Sequence, residues 1–191
     1  MFLSENSMGN EASLPVFSLL NELHFLVEAK EEDHAHDVLQ QIRHAITTDV
    51  VNELVLFRDK QVKDHGISQR SFKDDVETVV ACCNSPNENV RGEALLIIRE
   101  WFQLDIGVFA SEDDELRYSQ TVRAFSNKGP RTIVDMLVQN IPDQTEILLQ
   151  IIVLSSAHVF LRGEYIRLMA FKPLVSTPVL SLIFIHSIKR H

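Results

Sequence analysis

The stretch that decides the fold is DDVETVVACCNSPNENVRGEALLIIREWF, residues Asp74 to Phe102. Val76, Val79, Val80 and Cys83 recur at three- and four-residue steps, the spacing of one helix face. Asn84-Ser85-Pro86-Asn87 interrupts the pattern with residues that favour turns over helix. Val90, Ala94, Leu95, Ile97, Ile98, Trp101 and Phe102 then form a second buried face. Two helices joined by a short turn are expected. Ser71 is a plausible N-cap, with Asp74 three positions on completing a capping box.

The same plan returns downstream in RTIVDMLVQNIPDQTEILLQIIVLSSAHVF, residues Arg131 to Phe160. Aligning Pro86 with Pro142 sets the two stretches 56 residues apart. Cys82 then meets Val138, Leu95 meets Ile151 and Ile98 meets Leu154. A further helix is expected before each stretch, over 48–63 and 113–126, giving three helices per unit. Pro130 fits the first turn of a helix, where its missing N–H costs little. A long helix, apolar on most sides, is expected from Thr145 to Phe160. Upstream, Val16, Leu19, Leu20, Leu23, Leu26 and Val27 mark one helix, and Ala35, Val38, Leu39, Ile42 and Ile46 a second. Glu31, Glu32 and Asp33 suit the N-terminus of that second helix.

A unit of this kind cannot bury its apolar faces alone, so neighbours stack. The chain resembles the armadillo/HEAT superfamily over about residues 14–165, through Pro86, Asn89, Val90, Arg91, Ala94, Leu95 and Ile98, which are similar to the start of a repeat's last helix. The resemblance implies an all-α fold, a right-handed α-solenoid of about eight helices. It also implies a scaffold that binds peptides or protein surfaces along a concave face. The expected protein-binding residues are Asn87, Asn89, Arg91, Arg99 and Trp101. Arg91 and Arg99 lie near two turns apart on one helix. The competing reading pairs Arg91 with an acidic neighbour across the turn and makes Trp101 core. The departures are a spacing longer than the usual ~40–47 residues, the lack of a Val-Arg pair in the second stretch, and Gln150 where the first stretch has Ala94.

Composition agrees with a packed helical chain. Hydrophobic residues make up 45% of the 191 residues, and 6 Gly and 6 Pro are too few for a turn-rich β fold. A formal charge of −9 disfavours phosphate backbones, so no nucleic-acid partner is expected. A protein or peptide partner is expected instead. The adjacent Cys82 and Cys83 cannot pair without distortion and are read as structural, which suits an intracellular, cytoplasmic or nuclear location. No phosphate-binding, zinc-protease or C-x-x-C string occurs, so the expectation is a non-enzyme with no cofactor or metal. The alternative is a metal-dependent helical enzyme using His24, His34, His36 and His44. Against it, His34 and His36 lie about 200° apart on a helix and cannot clamp one ion there.

Three domains are expected: a flexible 1–13, a helical-repeat domain over 14–171 and an atypical tail over 172–191. The start lacks the charge and apolar run of a signal peptide. The tail carries VLSLIFIHSI (179–188) after two prolines, too short for an integral span of ~20 residues. It is read as the unrelated end of a truncated isoform or fragment of a larger armadillo-like protein. The alternatives are a last helix or strand packed on the solenoid, peripheral membrane association through Lys189 and Arg190, and docking into a larger assembly through this apolar end.

Overall fold

The structure is a computed structural model describing residues 13–46, 70–103, 121–139 and 142–170. The expected helix over 48–63, the 1–12 start and the tail after Ala170 lie outside the described residues. Every regular element among the described residues is a helix. They are α1 (Ser13–Ala29), α2 (Glu32–Ala45), α3 (Phe72–Cys82), α4 (Glu88–Phe102), α5 (Gly129–Gln139), α6 (Pro142–Ser155) and α7 (Val159–Ala170). Residues 121–126, the described end of the helix expected over 113–126, are helical as well.

Local chemistry fixes the ends of these helices. The Ser71 capping box forms: the Ser71 N–H donates to Asp74 Oδ2 at 2.7 Å, and the Asp74 N–H reaches back to Ser71 Oγ. Burial alone would raise the Asp74 carboxyl. The hydrogen bonds from Ser71 and the Arg70 charge outweigh it and hold the carboxyl below its ordinary value. α1 ends in a Schellman turn. Glu31 N–H donates to Leu26 C=O at 3.0 Å and Lys30 N–H to Val27 C=O at 3.3 Å, with Lys30 at φ 61°. Glycine normally fills that position, so a lysine there is strained.

Among the seven helices named above, alternate members pack together. α1 packs on α3, α3 on α5 and α5 on α7, while α2 packs on α4 and α4 on α6. Within pairs, α1 meets α2, α3 meets α4 and α5 meets α6. One contiguous core runs through them, from Val16 and Leu20 in α1 to Leu161 and Tyr165 in α7. Trp101 stands edge-on to Phe72, with ring centroids 6.4 Å apart, and Phe102 stands edge-on to Phe125 at 5.0 Å.

Burial corrects the proline alignment by two residues. Glu88 and Pro142, the first residues of α4 and α6, are 54 apart. At that separation Val90, Ala94, Ile97 and Ile98 fall on Gln144, Leu148, Ile151 and Ile152, and all eight are buried. Val76, Thr78, Val79 and Cys82 fall on Pro130, Thr132, Ile133 and Met136, again all buried. A separation of 56 would set buried Val90 on exposed Glu146. Proline misleads because it is tolerated both just before a helix and in its first turn. Pro86 takes the first position and Pro142 the second.

The helix expected over Thr145–Phe160 is two helices, broken at Ser156–His158. No Pro or Gly marks the break. Ser155 Oγ donates to the Ile151 carbonyl at 2.6 Å and lies 3.1 Å from the buried Tyr165 hydroxyl. A serine bonding back to its own helix weakens the ladder there, and the tyrosine ties α7 across the bend.

Two glycine exchanges test these ends. Lys30→Gly relieves a left-handed lysine and is expected to stabilise by about 1 kcal/mol, a rise of ~2–4 °C in Tm. Gly129 has the opposite need, because a Cβ there would collide with the Phe125 ring. Gly129→Ala is expected to destabilise by about 1–3 kcal/mol. Thermal melts followed by circular dichroism check both.

Candidate functional site

Asn87, Asn89, Arg91, Arg99 and Trp101 all lie on α4 or its cap, but they do not share a surface. Asn87 is the N-cap, accepting from the Asn89 N–H at 2.9 Å. Arg91 folds back over the turn, and its Nη1 donates to the carbonyls of Ser85 and Pro86, both at 2.8 Å. Both side chains serve the turn. Asn89 is exposed. Arg99 sits about 12 Å further along the axis, the rise of eight residues. It lies 3.9 Å from Glu100. Trp101 is 1% exposed and offers no surface. Its spacing from Val90, Ala94 and Ile97 puts it in phase with the buried stripe, and that signal was present in the sequence.

The polar contacts that join one helix pair to the next were not legible in the sequence. Arg43 of α2 donates to Glu93 of α4 at 2.7 Å, across 50 residues. Near them, burial pushes the Glu100 carboxyl above its ordinary range against the pull of Arg43 and Arg99. Glu77 of α3 takes Lys128 at 3.0 Å and Asn127 at 2.6 Å. The Ser85 hydroxyl donates to the Glu32 carboxylate of α2 and accepts from the Asn87 N–H at 3.0 Å. No short-range pattern predicts pairs separated by 50 residues or more.

Beside the Glu32–Ser85 contact lies a cleft of ≈470 Å³, between the α1–α2 turn and the α3–α4 turn. Leu26, Val27, Ala35 and Val90 give it apolar walls, and Glu31, Glu32, Lys30 and Ser85 line its polar side. Its volume is that of a small-ligand or side-chain pocket. Cys82 also lines it, but the thiol is not nucleophilic. Burial, and then the Glu32 charge, push it up to about 12, so thiolate is negligible at neutral pH. Cys83 is fully buried and shifted in the same direction.

The four histidines stand apart from one another in their contacts. His24 pairs with Glu28 at 3.3 Å, His34 with Glu31 at 3.0 Å and His36 with Asp37 at 3.8 Å, while His44 is exposed. Among the described residues no three His, Cys, Asp or Glu side chains converge as metal ligands. No described helix is long and apolar enough to cross a membrane.

The chain matches no family model, no curated protein and no solved structure.

The turn role of Arg91 is directly testable. Arg91→Ala removes two charge-assisted bonds to turn carbonyls and is expected to cost about 1–2 kcal/mol of stability in urea unfolding. Lysine at this position reaches with one ammonium instead of a planar fork and restores only part of the loss.

Proposed function

We propose that the chain is a non-catalytic protein-interaction scaffold of the armadillo/HEAT kind, its helix pairs stacked as a short α-solenoid. The observation that carries this reading is the order of packing. Among the named helices of the described residues, α1, α3, α5 and α7 lie one on the next, and so do α2, α4 and α6. The shared burial of the second and third pairs at a separation of 54 residues supports the same reading. A stack of this kind keeps a run of parallel helices facing solvent, and proteins use such faces to bind extended or folded partners.

The face best suited is the even-numbered one, α2–α4–α6. Asn89 and the half-exposed Leu96 and Arg99 lie on its central helix, beside the Arg43–Glu93 pair. Charged groups set around a small apolar centre give specificity more than raw affinity. In this reading the chain acts in the cell interior.

A second reading rests on a separate observation. Val159 and Phe160, in the first turn of α7, are 68% and 54% exposed. Adjacent exposed apolar side chains at one end of the fold suit a subunit that docks into a larger assembly through that end.

Position-resolved photo-crosslinking separates the two. The crosslinker is placed in turn at Leu96 on α4, at Ser18 on the α1 face and at Phe160 on α7, in cells expressing the full chain. The scaffold reading expects one dominant protein adduct at Leu96 and none at Ser18. Adducts confined to Phe160 favour the assembly reading, and adducts equal at all three sites refute both.

A further inference from the structure

We propose that the cleft between the α1–α2 and α3–α4 turns receives an arginine side chain from a protein partner. This deepens the scaffold reading and rests on it. The apolar walls of Leu26, Val27, Ala35 and Val90 match the three methylenes of an arginine stem. The polar side matches its guanidinium. Glu32 is half-buried and held in place by the Ser85 hydroxyl. Ser85 is in turn held by the Asn87 N–H at 3.0 Å. The carboxylate is therefore fixed before a ligand arrives, so little side-chain entropy is lost when a cation docks.

The surrounding charge has the same sign. Residues 28–37 carry five carboxylates, Glu28, Glu31, Glu32, Asp33 and Asp37, against Lys30 as their only lysine or arginine. The other nearby cation, Arg91, already binds the Ser85 and Pro86 carbonyls. An anionic partner group would meet net repulsion at this mouth. An uncharged apolar side chain would leave the Glu32 carboxylate desolvated with only the Ser85 hydroxyl to compensate it. Charge and shape thus select one class of occupant, a long side chain ending in a cation. Arginine fits better than lysine because its planar fork can pair with a carboxylate through two parallel bonds.

The test uses the full chain and a fluorescent acetylated peptide, Gly-Ser-Arg-Leu-Arg-Ser-Gly, with a control carrying uncharged citrulline at both arginine positions. Fluorescence anisotropy reads the binding. The arginine peptide is expected to bind at least about tenfold more tightly than the citrulline peptide, the effect of one charge-assisted contact. Glu32→Gln keeps the bond to Ser85 and is expected to remove most of that difference. Ala81→Trp fills the cleft from an exposed position on α3, and is expected to abolish binding while circular dichroism shows the helices intact. Equal binding of the two peptides, or binding untouched by both variants, overturns the proposal. If the arginine peptide does not bind and the Leu96 crosslinker still captures a partner, the cleft proposal falls and the scaffold reading stands.

Discussion

The burial of α4 on three sides is the constraint on which the rest depends. An isolated 15-residue helix is marginal in water. α4 is held by α3 from its own pair, by α2 from the pair before and by α6 from the pair after. Seven of its side chains are buried, Trp101 and Phe102 among them. Each full burial of a large apolar side chain is worth about 1.5–3 kcal/mol against exposure. No single neighbour could cover a surface that wraps most of the helix. The three pairs are therefore coupled through α4, and the edge-on contacts with Phe72 and Phe125 tie in the segments on either side of it.

Polar contacts at the rim of this core set position more than stability. Arg43–Glu93, Glu32–Ser85 and Glu77–Lys128 all join different pairs. Half-exposed ion pairs add little net free energy, but each is directional and fixes how far one pair slides along the next. The cleft follows from the same geometry. The α1–α2 turn is two residues long, Lys30 and Glu31, while the α3–α4 turn runs over 83–87. The shorter turn is possible only because Lys30 takes a left-handed conformation. Glu32 and Ser85 meet across the gap between these unequal turns, and the cleft opens beside them.

The all-helical class was legible because apolar spacing is a local signal. Ser71 with Asp74, and Pro130 at the start of α5, were legible for the same reason: capping depends on residues within one turn of each other. Besides the polar contacts between pairs, three features were not. The break at Ser156–His158 depends on a serine bond to Ile151 and a tyrosine ten residues away, with no proline or glycine to mark it. The two-residue error in the alignment came from treating proline as a fixed marker. The side chain of Arg91 was free to point outward or back over the turn, and only the two open carbonyls decide the direction. Trp101 is different, since its phase with Ile97 and Ala94 already placed it inside.

The ends of the two ranks explain where surface chemistry becomes available. At a separation of 54 residues Leu95 of α4 corresponds to Leu149 of α6. Leu95 is fully buried and Leu149 only partly. The side chains are identical, so the difference lies in their neighbours. α4 has an even-numbered helix on each flank, whereas among the described residues α6 has one, with α7 packing against it more lightly. Ile147 and Leu154 are partly buried as well, and α6 is apolar over most of its circumference. A helix with that composition is built for contact on every side. Among the described residues, α4 therefore satisfies its apolar surface within the chain more fully than α6 does.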